Sequence, residues 1–445
     1  MLLPVHGPSL LLLILSAVCT SVASSLISRS HAAPRRPAFI ASPPFMPSTR
    51  RGAFRHTPRS PSALEATRTA TPPTDLELKK SQLKEVIARE YASMFDPMER
   101  QFYTPQVEFI DPLNSFKGVD KYQGNVDLLG GRSLLGRVVF RDAYIHLYTF
   151  TDLDEYRFET RWTLGLTMKV LPWQPEAVFT GISRYTIDDE ARVVQQKDFW
   201  DSVNLESGVY EEKPRTLGIA DLIMQLRPQP DPLKASAREA PSELLRRAKT
   251  YQVRKYGALK GLSTTALTGA EGNLTPERVI HAEEKIEGYA AAANAARGRA
   301  EFVPCLPYIV KYELDGGDAL LGRASLATAG TKCEIFGPIR GPGPDWMPIL
   351  PKPTDPTLGL SSSGSSILAS AVVNDPGNCR DIETSMQKLV GDLQKDGLLP
   401  RDEGELCECV PRVFVTRGMK LSRLRHDEVW IPLPPGTHPW QALEE

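Results

Sequence analysis

Acidic side chains are missing from the start of this chain, since no Asp or Glu precedes Glu65. The same stretch contains seven arginines, which are Arg29, Arg35, Arg36, Arg50, Arg51, Arg55 and Arg59. Because the whole chain has 53 basic and 54 acidic side chains, the part that follows is net negative. Nucleic acids are bound by clustered Lys and Arg. An acidic chain without a basic stripe therefore predicts no nucleic-acid partner.

Long apolar runs are also lacking. The run from Leu10 to Ala17 is much shorter than the roughly 20 apolar residues of a membrane-spanning helix, and it is typical of a secretory signal core. From Ser25 to about Pro73 the chain is rich in Arg, Ser, Thr, Ala and Pro, as organelle transit peptides are. The two in series resemble the bipartite leaders of algae whose plastids lie inside extra membranes. We expect residues 1–73 to be a disordered leader. The expected location is the plastid (chloroplast), with secretion as the alternative. The mature chain is expected to have no transmembrane segment.

Cysteines are few, and the common catalytic motifs are absent. Five cysteines follow Cys19, an odd and sparse count that does not indicate a disulfide framework. Cys407 and Cys409 form a C-x-C pair without the second pair that a zinc site needs. The sequence has no Walker P-loop, no dinucleotide fingerprint and no G-x-S-x-G elbow. These absences predict a protein that is not an enzyme.

Residues 75–212 alternate between helical and strand periodicity. Apolar residues recur at spacings of three and four from Asp75 to Phe95, which predicts a helix. A second helix is predicted for Val119 to Leu129. Every second residue from Tyr156 to Val170 is apolar or Thr, which predicts a long strand, and Ala177 to Trp200 is typical of a hairpin. Helices followed by long antiparallel strands predict an α+β domain, a curved sheet wrapped on helices.

One motif in this domain has a family resemblance. Phe109-Ile110-Asp111-Pro112, followed by Phe116, Gly118 and Tyr122, resembles the nuclear-transport-factor-2-like superfamily, and more narrowly an uncharacterised branch in plastid and cyanobacterial proteins. The resemblance implies a cone-shaped domain, and it makes a homodimer through this domain one expectation. Because that superfamily contains both enzymes and binding modules, a small-molecule enzyme in the cone is an alternative. Its candidate acid–base residues are Asp111, His146, Arg161 and Asp198, although a turn role for Asp111 and a structural role for His146 are the commoner interpretations.

The second half of the chain follows a Pro-rich linker, predicted at 213–242. Residues 243–436 show the order strand, helix, strands twice, which indicates an approximate duplication of a β-α-β-β unit. The first helix is predicted from Pro276 to about Arg297 and the second begins after Asn378. The Gly-, Pro- and Ser-rich stretch 337–366 is predicted to be a loop insertion.

Four segments of this half resemble the SOUL haem-binding family. They are Tyr251 to Tyr256, Leu350 to Pro356 with the following strand Ile367 to Val373, Leu393 to Leu398, and Arg425 to Leu433. The resemblance implies two sheets that form a distorted β-barrel with two flanking helices. It also implies that haem or another porphyrin binds in an apolar groove beside the first helix.

Transferred to this chain, the family's groove involves five residues. Ile286 and Tyr289 would supply apolar contacts and Lys285 would pair with a propionate. His281 is a candidate axial ligand of haem iron, because a neutral imidazole suits this metal. Lys255 occupies the place where some family members have a histidine ligand. Binding without any protein ligand is an equal alternative.

The leading functional prediction is a non-catalytic tetrapyrrole carrier or buffer protein of the plastid. One alternative is an interaction scaffold whose SOUL-like domain has lost haem, and another is the enzyme in the cone. An enzyme of that kind requires a pocket with paired titratable groups.

Overall fold

The computed structural model describes residues 74–227, 240–267, 276–305, 307–314, 319–323, 332–341, 347–373, 379–417, 427–434 and 437. The predicted leader therefore lies outside the described residues. The chain divides into two compact units, Met1–Leu78 and Lys79–Glu445. In the first unit the structure describes only 74–78, where a helix begins. Among the residues that the structure describes, no helix has the length and hydrophobicity needed to cross a membrane.

Three helices accompany the first sheet: α1 Asp75–Ala92, α2 Val119–Leu129 and α3 Leu134–Val139. The N-terminus of α1 is a capping box, in which the Thr74 hydroxyl accepts from the Glu77 N–H and the Glu77 carboxylate accepts from the Thr74 N–H. The predicted apolar face is confirmed, because Leu83 and Ile87 are fully buried. The α2 helix has the predicted bounds.

The first sheet has six strands. They are β1 Tyr103–Ile110, β2 Ser115–Lys117, β3 Phe140–Asp152, β4 Arg157–Met168, β5 Glu176–Ile187 and β6 Val193–Trp200. Their order is β2-β1-β6-β5-β4-β3, antiparallel except for the parallel pair β1 and β6. The predicted long strand (β4) and hairpin (β5 and β6) are confirmed, as is the α+β class. The parallel pair brings the C-terminal end of β1 beside β6, which positions the site described below.

The predicted linker contains a packed helix. After the short elements α4 Asp201–Asn204, β7 Leu205–Glu206 and β8 Val209–Tyr210, α5 spans Arg215–Leu226. Leu226 is fully buried, and its carbonyl accepts a hydrogen bond of 2.9 Å from the Trp173 indole. The apolar side of α5 packs on β5 of the first sheet.

The second sheet is built from antiparallel strands. They are β9 Ser242–Arg247, β10 Gln252–Tyr256, β11 Leu259–Leu267, β12 Val303–Pro304, β13 Tyr308–Glu313, β14 Lys332–Arg340, β15 Gly359–Ser363, β16 Ser366–Val373, β17 Arg412–Arg417 and β18 Asp427–Pro432. Their order is β15-β11-β14-β13-β17-β18-β16-β10-β9, with β12 paired to β14. A two-residue connection joins β15, at one end of this order, to β16 near the other end. The sheet is therefore strongly curled.

The helices of the second half are α6 Pro276–Arg297, α7 Cys379–Lys395 and α8 Glu403–Cys409. Ile286 of α6 and Met386 of α7 are fully buried against the sheet. The strand and helix order follows the predicted duplication. The stretch 337–366 is not a loop throughout, because it contains the end of β14 and all of β15, which pairs with β11.

Candidate functional site

A pocket lies between the first sheet and the helices α1 and α2. Its volume is about 60 Å³. Most of its wall is apolar or aromatic, and the lining residues are Tyr91, Met94, Phe95, Phe109, Tyr122, Asn125, Val126, Leu129, Ile145, Trp162, Leu164, Ser183, Gln196 and Asp198. An apolar wall with a few convergent polar groups is the usual composition of a small-molecule site.

Asp198 is the one carboxyl among the described lining residues of this pocket. It lies on β6 directly opposite Ser183 of β5. Its Oδ1 accepts hydrogen bonds from the Ser183 hydroxyl (2.6 Å) and from the Gln196 side-chain amide (2.9 Å). Its Oδ2 accepts no hydrogen bond from any residue that the structure describes. The carboxyl is half-buried, so one oxygen is anchored and the other is left for a ligand.

Neighbouring side chains hold these partners in place. The Trp162 indole donates to the Ser183 hydroxyl (2.8 Å), and the Tyr91 hydroxyl does the same (3.2 Å). The Tyr122 hydroxyl donates to the Gln196 side-chain oxygen, which turns the amide N–H groups of Gln196 towards Asp198. A carboxylate whose partners are themselves held by buried aromatic residues is fixed in orientation.

A second carboxyl lies next to the first. The parallel pairing of β1 and β6 places Ile110 beside Lys197. Because the two strands run in the same direction, the residues that follow them, Asp111 and Asp198, are also neighbours. One oxygen of Asp111 accepts from the backbone N–H groups of Leu113 (2.6 Å) and Asn114 (2.5 Å). The predicted turn role of Asp111 is thus correct, and it coexists with a position beside the pocket.

Both carboxyls have raised pKa values. The pKa of Asp198 is raised to about 7, mainly by burial and in part by the nearby Asp111, while the hydrogen bonds from Ser183 and Gln196 oppose the rise. Burial raises the pKa of Asp111 to about 6, although its backbone hydrogen bonds and Arg215 oppose this. A carboxyl that titrates near neutral pH can take up or release a proton during a reaction.

A third carboxyl with a raised pKa does not belong to the pocket. Burial raises the pKa of Glu90 to about 7. It accepts from the Tyr103 hydroxyl (2.5 Å) and the Glu99 N–H (2.7 Å), and it does not line the cavity. Its hydrogen bonds tie α1 to the start of β1, which is a structural role.

The other two predicted catalytic candidates lie elsewhere. Arg161 is fully buried in an ion pair with Asp201, with N–O distances of 2.7 and 2.5 Å, and it also donates to the Leu245 carbonyl. His146 is exposed on β3 and packs against Tyr144 with ring centroids 4.9 Å apart. The structure therefore brings Asp111 and Asp198 together and leaves Arg161 and His146 out.

Several polar residues of the pocket were not identified from the sequence. Ser183 and Gln196 lie on the two strands of the predicted hairpin, and their polarity on a buried face was the available signal. Asn125 lies on α2 and lines the pocket, and its side chain has no hydrogen bond with any described residue. A single Asn on a helix offers no sequence signal of this kind.

The residues predicted for a porphyrin groove lie mostly in packed surroundings. Ile286 is fully buried in the core with Leu262 and Phe302. The Tyr289 hydroxyl donates to the Pro351 carbonyl (2.6 Å), which holds the chain near Pro351 against α6. The structure therefore uses both predicted apolar contacts of α6 in packing.

The predicted polar groove residues are dispersed. Lys285 donates to the Thr357 hydroxyl (2.9 Å) and lies 3.9 Å from the Asp355 carboxylate. His281 is exposed on α6. Lys255 is exposed on β10, whereas α6 packs mainly on β11, β12 and β14. Within the described ranges no group of three or more His, Cys, Asp or Glu side chains is arranged to hold a metal ion.

Comparisons with known proteins concern mainly the first half of the chain. A family model described as an uncharacterized conserved protein (DUF2358) matches residues 81–196. No curated protein matches the chain.

Three solved structures illustrate the likeness in fold. An NTF2-like protein of unknown function from Exiguobacterium is 15% identical, with a TM-score of 0.21, over 26% of this chain and 98% of that one. An LEH-like epoxide hydrolase of M. tuberculosis is 10% identical, with a TM-score of 0.24, over 34% and 92%. The epoxide hydrolase/cyclase-like enzyme SalBIII of salinomycin pyran ring formation is 10% identical, with a TM-score of 0.23, over 27% and 92%. The curved sheet with its helices agrees with the expected α+β class, and the nuclear-transport-factor-2-like fold stays a prediction.

The prediction that the protein is not an enzyme is corrected by these comparisons. It rested on the absence of the common catalytic motifs, which does not exclude an activity, and two of the three similar structures are described as enzymes. At such low identity the likeness concerns the fold alone, and it assigns no reaction to this chain. The resemblance of 243–436 to the SOUL family stays a prediction.

Proposed function

We propose that the first domain binds a small, mainly apolar carbonyl compound in the pocket beside α1 and α2 and catalyses proton transfer on it, with Asp198 as general base and then general acid. The observation that carries this proposal is the geometry of Asp198. One carboxylate oxygen is held by Ser183 and Gln196, and the other has no partner within the described chain. Catalytic bases need this combination of fixed orientation and a free oxygen.

The proposed reaction uses two polar groups of the pocket. Asp198 Oδ2 removes a proton from the carbon next to the carbonyl, so that the C–H bond breaks and an O–H bond forms on the carboxyl. The electron pair of the C–H bond moves onto the carbonyl oxygen, and the side-chain amide of Asn125 donates a hydrogen bond to that oxygen. Asp198 then returns the same proton to another position of the substrate, so the net change is an isomerisation with no other reactant.

The electrostatic setting suits this reaction. A carboxyl with a pKa of about 7 is a stronger base than an ordinary aspartate, and it is still largely ionised in a slightly alkaline solution. The walls contributed by Phe95, Phe109 and Leu164 limit water around it. Electrostatic interactions are stronger where water is excluded.

The exchange of the α-hydrogens of butanone for deuterium tests the proposal. The exchange is followed by proton NMR in D2O near neutral pH. The wild-type protein should accelerate it, and the rate with Asp198→Asn should be at least about 100-fold lower. Asp189→Asn is the matched control, because Asp189 is an exposed aspartate outside the pocket. Equal exchange rates for the wild type and Asp198→Asn would contradict the proposal.

Tetrapyrrole binding by residues 243–436 is a second proposal, with plastid location as its setting. It is supported by the described order of strands and helices, which follows the duplicated unit that the SOUL resemblance implies. Absorbance titration with haemin and with iron-free protoporphyrin tests it. A loss of haemin affinity in His281→Ala would indicate an axial ligand, equal binding of both compounds would indicate a site without one, and no saturable binding would exclude the proposal.

A further inference from the structure

The two faces of the second sheet have different surroundings. Val310, Ile335 and Val413 point to the face covered by the helices, where they are fully buried. The alternate residues of the same strands point the other way, into a half-open cavity of about 420 Å³. This volume is in the range of small-molecule sites, and the cavity is separate from the Asp198 pocket.

Aromatic and aliphatic side chains form the wall of this cavity. The rings of Tyr256 and Trp430 lie with centroids 4.8 Å apart at an angle of 31°, and Leu368 packs against both. Phe336 and Phe414 complete the aromatic part of the wall. A wall with several aromatic residues favours a flat aromatic guest, because aromatic contacts add to the burial of apolar surface.

The charged side chains among the described lining residues are Lys311, Glu334 and Arg412, so basic groups outnumber acidic ones there. Lys311 and Glu334 form an ion pair of 3.3 Å and offset each other, and the Ser361 hydroxyl lies 3.4 Å from the other oxygen of Glu334. Arg412 also lines the cavity, is exposed, and has no ion-pair partner among the residues that the structure describes. A guanidinium binds a carboxylate through two parallel hydrogen bonds.

We propose that this cavity is a binding site for a planar aromatic carboxylate. The ring system lies against Tyr256, Trp430 and Phe414, and the carboxylate pairs with Arg412 at the edge of the cavity. The site is independent of the reaction proposed for Asp198, since it is formed by the other sheet.

Tryptophan indole NMR signals can follow binding at this cavity. The Trp430 indole N–H donates to the Glu428 carboxylate (2.8 Å), and Trp430→Phe identifies its signal in protein labelled with 15N-tryptophan. The Trp162 indole reports on the Asp198 pocket in the same spectrum. The probe is 2-naphthoate, and 2-naphthamide is its uncharged counterpart.

The expected result is a saturable shift of the Trp430 signal by 2-naphthoate, with the Trp162 signal unchanged. Arg412→Gln should lower the affinity for 2-naphthoate at least about fivefold. Lys388→Gln should leave the affinity unchanged, because Lys388 is an exposed cation of α7 that does not line the cavity. The amide should bind about as weakly to the wild type as the acid binds to Arg412→Gln.

Three results would overturn the proposal. The first is a Trp430 signal that does not shift up to the solubility of the probe. The second is a shift of the Trp162 signal in its place, which would put the compound in the Asp198 pocket. The third is equal affinity for the acid and the amide in the wild type, which would remove the role of Arg412. The unchanged positions of the other indole signals show that each variant is folded.

Discussion

Ser183 and Asp198 face each other across the β5–β6 pair, with the serine hydroxyl 2.6 Å from one carboxylate oxygen. The serine also accepts from the indole of Trp162. The orientation of Asp198, the one carboxyl among the described lining residues of this pocket, therefore depends on a hydroxyl that is itself held by a buried ring. This chain of contacts joins the packing of the first domain to its proposed chemistry.

The raised pKa of Asp198 predicts a pH dependence of stability. The folded state has the higher pKa, so the unfolded state binds fewer protons between about pH 4 and 7 and stability falls as the pH rises through this window. Asp198→Asn removes the ionisation and should raise the free energy of unfolding at pH 8 by on the order of 1–2 kcal/mol, since partial solvation moderates the full effect. Denaturant unfolding at pH 8 and pH 4 checks this, and a gain of the same size at pH 4 would contradict it.

The neighbouring carboxyl should influence the titration of Asp198. Asp111→Asn removes a negative charge, so the pKa of Asp198 should fall below its wild-type value of about 7. Carboxyl 13C NMR of aspartate-labelled protein measures this directly. An unchanged or higher pKa in the variant would show that the two groups do not interact.

The buried ion pair of Arg161 and Asp201 should be important for stability. Thr180 and Tyr210 also donate to Asp201, and Arg161 donates to the Leu245 carbonyl of β9. Asp201→Ala leaves a buried guanidinium without its counter-ion and should cost about 3–5 kcal/mol. The exposed pair of Arg157 and Asp154 is the control, because solvent screens it and Asp154→Ala should cost far less stability than Asp201→Ala. Denaturant unfolding measures both variants, and similar losses of stability for Asp201→Ala and Asp154→Ala would contradict this prediction.

Two glycines of the first domain should respond in opposite ways to alanine. A Cβ atom on Gly181 would lie 2.0 Å from the Phe199 carbonyl oxygen, so Gly181→Ala must displace the β5–β6 pair and should cost at least about 2 kcal/mol. A Cβ atom on Gly124 meets nothing within 4 Å, so Gly124→Ala should stabilise α2 by about 0.5–1 kcal/mol. Thermal unfolding of both variants measures the contrast. A Gly181→Ala protein as stable as the wild type would contradict the close contact between Gly181 and the Phe199 carbonyl.

Periodicity was a good guide to local structure and a poor guide to where the elements pack. The bounds of α2 and the β5–β6 hairpin were predictable, because a helix or hairpin is decided mainly by residues close in sequence. The packing of α5 was not predictable, because its apolar residues alone do not show that the Leu226 carbonyl accepts a hydrogen bond from the Trp173 indole. The β15 strand was missed because Gly and Ser favour turns, whereas pairing with β11 holds this segment extended.

The sequence by itself determined the α+β class, the order of the elements, and the presence of acidic candidates such as Asp111 and Asp198. Only the tertiary structure decided which candidates meet. Asp111 and Asp198 are adjacent because β1 pairs in parallel with β6, a contact between distant parts of the chain. The same packing placed Arg161 in a buried ion pair and raised the pKa of Asp198, because desolvation and charge proximity arise only when the chain is folded.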